Sequence, residues 1–494
     1  MKTLKHCQNL GTNAYGKVIK FYFQYNILKY LKIMIIEFAI FLLFAPLTFG
    51  QNRIQIIDSM LTIIHQEGKL NGNVLLAEKG EIIYSRSFGF ANQVTKEKLN
   101  ENSVFCLASV SKQFTAMAIV ILKEQGKLNY DDKITKYLPE LIEYENISIR
   151  NLLNHTSGLK DFEQLTNSRE AKKYISTRLV NNIVRNQNIV EFFSIYKPKL
   201  NFKPGTKFEY CDIGYEFLGS IIEKVSGLTY SEFLDKTIFN PLEMKSTFVY
   251  STETTQDNIN NFAWSYIYSE SLKKYQSVDS LSAKENIRIM SDGASGIYST
   301  VLDLLKWDRA LYTDKLVSFS SLKEIYEPAI LVDKTKTSYG FGWLIRQDPN
   351  YGKLVFHSGG DRGYICYIER NLDSDKIVII LVNYSPAVDP IDIINRNLYN
   401  IPLPKEIKLT QEQIQMIVGT YKLQMGPELR IWSENEQFFI QAPGQKALPI
   451  FAENELLLYF KVIDAKLQFE KNKKGKITHL YFLKGGNKTI AEKK

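Results

Sequence analysis

Ala108-Ser109-Val110-Ser111-Lys112-Gln113-Phe114-Thr115-Ala116 opens a strongly apolar run that ends at Gly126. Phe114, Met117, Ile121 and Leu122 recur at helical spacing, and a glycine is a usual residue just past a helix end. On such a helix Ser109 and Lys112 lie one turn apart on one face. A serine beside an amine can be activated without histidine, because the amine takes the proton as the oxygen attacks. A helix start also offers free N–H groups and a dipole to a developing oxyanion. Taken alone, the pair also reads as an N-cap serine followed by a surface lysine.

Two further groups supply what that pair lacks. Tyr210-Cys211-Asp212 follows the turn at Pro204-Gly205 and precedes an amphipathic helix from Ile213 to Gly227. A tyrosine shuttles protons when a neighbouring ammonium lowers its pKa; otherwise it is a buried phenol with a satisfied hydroxyl. Phe356-His357-Ser358-Gly359-Gly360 stands at a strand end, where glycines let a substrate reach the backbone. A lone histidine there otherwise reads as a turn residue.

Together these motifs resemble the serine β-lactamase-like superfamily of penicillin-binding proteins, class C β-lactamases, esterases and D-aminopeptidases. Ser109-Val110-Ser111-Lys112 matches Ser-x-x-Lys, Tyr210-Cys211-Asp212 the Tyr-x-Asn position, and His357-Ser358-Gly359 the Lys/His-x-Gly position. Supporting stretches are Leu152–Leu159 (LLNHTSGL), Pro241-Leu242-Glu243-Met244, Gly296–Thr300 and Tyr339–Trp343. The resemblance spans about residues 70–400. It implies an α/β (α+β) fold: an antiparallel sheet of five or more strands, flanking helices and an all-helical lobe. It implies Ser109 as nucleophile, Lys112 and Tyr210 as proton-transfer groups, and His357 among the catalytic residues. The oxyanion hole would be the N–H groups of Ser109 and Gly360, with Asp212, Ser358 and Gly359 in substrate binding. His155, within LLNHTSGL, reads as a structural turn residue. Cys211 should turn away into the core.

Two departures from the family pattern bear on chemistry. Asp212 stands where many members have asparagine; if it touches Lys112, the ion pair holds the lysine protonated and moves the base role towards Tyr210. His357 replaces the lysine that pairs with a substrate carboxylate, and a histidine is mostly neutral at pH 7. The expected function is therefore a serine hydrolase of esters or amides, small-molecule or peptide. The alternatives are a D,D-carboxypeptidase or β-lactamase, and a non-catalytic penicillin-binding-like sensor. The lack of a G-x-S-x-G elbow, and of βαβ alternation around Ser109, speaks against a Ser-His-Asp α/β-hydrolase.

The rest of the chain of 494 residues is consistent with this. Apolar residues are 45% and charged ones 23%, enough for a large core. Of the net charge of +9, residues 1–50 carry six lysines against Glu37, which is +5, leaving +4 for the remainder. No dense basic stripe argues for a nucleic-acid partner. The cysteines (Cys7, Cys106, Cys211, Cys366) have no CxxC spacing and the five histidines are scattered, so neither a metal nor another cofactor is expected. Residues 33–49 are apolar except for Glu37 and follow lysines, the pattern of a signal peptide with cleavage near Gly50. Export to the periplasm or exterior is the expectation, with an uncleaved membrane anchor as alternative and Met34 as a possible start. The expected organisation is a leader at 1–50, a catalytic domain at 52–400, a linker at 401–410 and an all-β, barrel-like domain at 411–494. Six short strand-like runs in that last segment carry no catalytic motif.

Overall fold

A computed structural model describes residues 53–494, apart from 166–167, 179–182, 251–258, 270–273, 279–287, 290–291, 386, 388–389, 425, 445–446, 462–464 and 485–486. The proposed leader at 33–49 lies outside the described residues. Among the described residues no helix is long and apolar enough to cross a membrane.

The larger unit covers residues 61–390. Its sheet has six strands: β1 (Gly72–Glu78), β2 (Glu81–Phe88), β3 (Leu344–Asp348), β4 (Gly352–Asp361), β5 (Tyr364–Asn371) and β6 (Lys376–Val382). They lie in the order β3-β4-β5-β6-β1-β2, all antiparallel. The Ile377–Val382 run is central because it is apolar on both faces and nearly every residue in it is buried. Chain ends meet in the sheet: Gly72 pairs with Val382, and a Cβ at Gly72 would strike the Leu381 carbonyl at 2.1 Å. The β1–β2 turn falls at Lys79-Gly80, both with positive φ, as a tight hairpin turn favours. β3 begins only at Leu344, although the apolar and aromatic run starts at Tyr339. Tyr339–Trp343 instead forms a turn in which the Gly340 N–H bonds the Trp343 carbonyl. Gly342 faces the backbone of Lys112 and Gln113, where a Cβ would approach to 2.8 Å.

Two helices set the site. α1 (Lys112–Glu124) has eleven consecutive buried residues, Lys112–Leu122, so it runs through the core rather than over it. Phe114 stacks near Trp307 at 4.5 Å, and Gln113 accepts the Trp307 indole N–H at 3.0 Å. α2 (Asp212–Ser226) buries Phe217, Leu218, Ile221 and Ile222 and stops at Gly227 in the left-handed region, φ +72°. Each such side chain contributes about 1.5–3 kcal/mol of burial. On the sheet's helix side Arg370 and Asp308 form a fully buried ion pair at 2.5 Å, closed by the Tyr326 hydroxyl at 2.6 Å. Its additional hydrogen bonds are what make a charge pair tolerable in a core.

The second unit comprises the described residues 53–60 together with Ile391–Lys494. Its centre is a closed barrel of eight strands: β7 (Gly419–Leu423), β8 (Glu428–Glu434), β9 (Gln437–Gln441), β10 (Leu448–Asn454), β11 (Leu457–Tyr459), β12 (Ala465–Lys471), β13 (Ile477–Lys484) and β14 (Asn487–Lys493). Two of these, Leu448–Asn454 and Asn487–Lys493, were not expected from the sequence. The unit begins ten residues before the expected boundary because helix Ile391–Leu398 bonds within it: Asp392 pairs with Lys484 at 3.4 Å and Arg396 donates to the Phe460 carbonyl at 3.3 Å. Residues 401–410 are likewise tied down. The Ile407 N–H bonds the Ala452 carbonyl, and the Tyr459 hydroxyl bonds the Pro404 carbonyl.

Candidate active site

Ser109 is presented by a strained entry into α1. Phe105–Cys106 pairs with Ile297–Ser299 as a short strand, and the Leu107 N–H bonds the Ile297 carbonyl at 2.9 Å. Ala108 then adopts φ +47°, a left-handed conformation that costs a non-glycine residue about 1 kcal/mol. Residues Ala108–Ser111 form a 3₁₀ turn ahead of α1. In that turn side chains three apart eclipse, so the Lys112 ammonium lies 3.1 Å from the Ser109 hydroxyl. Its other donors reach the Ala294 carbonyl at 3.0 Å and the Asp212 carboxylate at 2.6 Å. Lys112 is wholly buried.

Tyr210 and Asp212 come from the approach to α2. The Tyr210 ring centroid lies 5.0 Å from the lysine nitrogen, so the phenol stands beside the Ser109–Lys112 pair. The Tyr-x-Asp spacing thus brings two groups to the Ser–Lys pair while Cys211 between them is buried, as expected. Burial favours a neutral Lys112, yet Asp212 and Tyr210 outweigh it by charge and hydrogen bonding, and the net effect is a raised pKa. The resting lysine is an ammonium. The Tyr210 phenol is raised overall: burial pushes it up, Lys112 pulls it down and Asp212 pushes it up again, so Tyr210 rests as the neutral phenol. Asp212, expected as a substrate contact, lies against the Lys112 ammonium.

β4 brings the backbone alongside. β3 pairs with it only as far as Phe356, so its edge from His357 to Asp361 has no strand partner on that side among the described residues. Gly359 packs directly under the Ser109 turn: a Cβ there would meet the Leu107 carbonyl at 2.4 Å and the Ser109 nitrogen at 3.0 Å. Gly359 therefore acts as a point of close approach. Ser358 and Gly360 alternate to the exposed side. Gly359→Ala is expected to lose about 1–3 kcal/mol of stability through overpacking and about 100-fold in activity through displacement of Ser109. Gly360→Ala, whose nearest neighbour would be 4.0 Å away, should leave the melting temperature unchanged. Thermal melts and ester hydrolysis of the two variants check this; equal melting temperatures would remove the steric account.

His357 departs from the role expected of it. It is buried, its Nδ1 bonds the Ser358 carbonyl at 2.6 Å and its Nε2 meets the Tyr339 hydroxyl at 2.9 Å. Nδ1 is therefore the donor and Nε2 the acceptor. With both nitrogens engaged, the ring offers neither a free base nor a cation. Burial, seconded by Lys112, pushes its pKa down to about 4. The unfolded imidazole, with the usual value near 6.5, takes up a proton that the folded one refuses. Its stabilising contribution is thus full above pH 6.5 and lost as pH falls towards 4. Asp292, raised by burial to about 6, titrates in the same window with opposite sign, so the comparison must be differential. The unfolding free energy of the wild type should fall relative to His357→Gln by about 2–3 kcal/mol between pH 7 and 4.5. A difference constant with pH would refute the neutral buried imidazole.

Two participants carried no signal in the sequence. Ala294 contributes only a carbonyl, held in place because the neighbouring Gly293 carbonyl accepts from Thr115 and the Gly293 N–H donates to Asn186. Tyr339 belongs to a stretch quoted only as supporting resemblance, yet it orients His357.

A family model described as Beta-lactamase matches residues 57–400. Penicillin-binding protein 4* of Bacillus subtilis (strain 168) is 33% identical over 439 residues, covering 85% of this chain and 94% of that one. A solved D-amino acid amidase from Ochrobactrum anthropi SV3, complexed with L-phenylalanine amide, is 25% identical with a TM-score of 0.54, over 71% of this chain and 99% of that one. The octameric penicillin-binding protein homologue from Pyrococcus abyssi shares the fold at 22% identity and a TM-score of 0.61, over 88% of this chain and 99% of that one.

Proposed function

The chain belongs to the beta-lactamase family and is a serine hydrolase, and from that premise we propose that it cleaves ester or amide bonds through a covalent acyl-enzyme on Ser109. The observation that carries this is the cluster in which the Lys112 ammonium bridges the Ser109 hydroxyl at 3.1 Å and the Asp212 carboxylate at 2.6 Å, beside Tyr210. The working base is the Lys112–Tyr210 pair after loss of one proton. Lys112, held as an ammonium by Asp212, leaves the phenolate of Tyr210 as the acceptor. Ser109 Oγ bonds the substrate carbonyl carbon while its proton passes to Tyr210. The carbonyl oxygen becomes an oxyanion facing the N–H groups of Ser109 and Gly360. Tyr210 returns the proton to the leaving group as its bond breaks. Water then attacks the acyl ester, gives its proton to the same base, and Ser109 departs with it.

The buried, neutral His357 favours esters and amides lacking a free carboxylate over carboxypeptidase or β-lactam substrates, because no unpaired cation stands at its position to receive an anion. Export is part of the proposal and rests on the apolar segment 33–49; N-terminal sequencing of the mature protein tests it.

The deciding experiment incubates the purified chain with a fluorophosphonate, a penicillin, p-nitrophenyl esters and D-alanyl amides, and locates adducts by mass spectrometry. An adduct on Ser109 with ester or amide turnover is expected. Labelling elsewhere, or none with any reagent, would overturn the mechanism; penicillin turnover rivalling the esters would overturn the substrate ranking.

A further inference from the structure

Tyr210 sits where nothing regular holds it. Residues 207–211 belong to no helix or strand, so no ladder of hydrogen bonds fixes the phenol against Ser109. The backbone on either side of it is held by one residue from another part of the chain. The His155 carbonyl accepts the Glu209 N–H at 3.0 Å, and the His155 Nδ1 accepts the Cys211 N–H at 3.1 Å. The backbone is thus pinned on both sides of Tyr210 by the same residue. The imidazole also lies against the phenol, with ring centroids 4.2 Å apart and planes inclined by 35°.

We propose that His155 is the positioning residue for Tyr210, a role that rests on Tyr210 serving as the proton carrier to Ser109. Its geometry is specific to that task. His155 takes φ +57°, a left-handed turn that aims its carbonyl and its ring at the same strand of chain. The turn is braced from below: Asn151 donates to the Thr156 hydroxyl at 3.0 Å, which donates to Asn154 at 2.8 Å. Tyr339 and Tyr215 close the other sides of the ring at 4.5 and 5.1 Å. An imidazole accepts at Nδ1 only while that nitrogen is unprotonated. Burial, followed by the charges of Lys112 and the proximity of His357, holds the pKa of His155 well below 6.5, so the acceptor persists across the neutral range. The reading of His155 as a mere turn residue accounts for its backbone but not for a buried, neutral ring whose acceptor is spent on the residue next to Tyr210.

The test separates the acceptor from the bulk of the side chain. Asparagine carries an oxygen at the position of Nδ1 and tolerates the left-handed conformation; glutamine carries its oxygen one bond farther, at the reach of Nε2. Phenylalanine keeps a ring and loses the acceptor, leaving the Cys211 N–H buried and unpaired. The readout is the burst of p-nitrophenolate from p-nitrophenyl acetate, giving an acylation rate constant and an apparent dissociation constant. His155→Asn should acylate within about three-fold of wild type. His155→Gln and His155→Phe should lose about 30-fold in the rate constant, which is about 2 kcal/mol at 1.36 kcal/mol per decade. The dissociation constant should stay within about two-fold. Equal rates for the asparagine and glutamine variants, or a loss that appears in the dissociation constant, would overturn the role. Failure of the wild type to label at Ser109 would instead overturn the mechanism on which the role rests.

Discussion

Ser109→Ala should abolish covalent labelling and reduce ester hydrolysis by about 10⁴-fold or more, the scale seen when the nucleophile of a concerted site is removed. The other serine of the motif is not placed to replace it. Ser111 lies in the same motif but is buried, and its hydroxyl accepts the Ile297 N–H at 3.1 Å. It cannot turn towards the cleft without leaving that donor unpaired, at a cost of about 1–3 kcal/mol. Ser111→Ala should accordingly lower the melting temperature and still label at Ser109. The strain at Ala108 matters here too, since its φ of +47° turns the chain from strand to helix and sets the serine at the head of α1. Intact mass of fluorophosphonate-treated variants reads both outcomes at once; an adduct on the Ser109→Ala protein would disprove the assignment.

The second large effect concerns the lysine. Lys112→Met should cost about 10³-fold in kcat/KM, within the range for loss of a positioned acid–base group, because it removes the cation that favours the Tyr210 phenolate. Asp212→Asn tests the same cluster from the other side, with a sign that follows from the charges. Asp212 raises Lys112 and raises Tyr210. Without its charge both groups give up a proton more readily, so the ascending limb of the kcat/KM–pH profile should move to lower pH by about one unit or more. A limb that stays put, or moves upward, would take the lysine–tyrosine pair out of the base role and leave Asp212 as the acceptor. Rates for the p-nitrophenyl ester between pH 5 and 10 decide between these.

Much of the site was legible because its parts lie close in sequence or carry distinctive residues. Ser109 and Lys112 are three apart, and a single turn delivers the second to the first at 3.1 Å. Tyr210 and Asp212 flank a cysteine at the start of a helix whose apolar face is plain. His357 was harder. Its type and place beside glycines suggested a cleft residue, whereas its environment is set by Tyr339, eighteen positions earlier, which takes its free nitrogen. His155 was legible as a turn and not as a support for Tyr210, because its partners are backbone groups 54 and 56 residues away, and any residue has those.

The C-terminal unit divides in the same way. Alternating runs such as Gln437–Gln441 announced strands, but Asn487–Lys493 (NKTIAEK) reads as a polar tail. It becomes a strand because it pairs with both Ile477–Lys484 and Gly419–Leu423, closing the barrel and removing its two open edges. The sequence alone determined the periodicities, the turns and the side chains that gather at the candidate site, since these depend on side-chain type and local spacing. Tertiary structure alone decided which charges face one another. The nearness of Asp212 and Tyr210 pushes Lys112 towards the ammonium, burial pushes His357 and His155 towards the neutral imidazole, and close packing leaves no room for a Cβ at Gly359; burial and distance both arise only when remote segments are packed together.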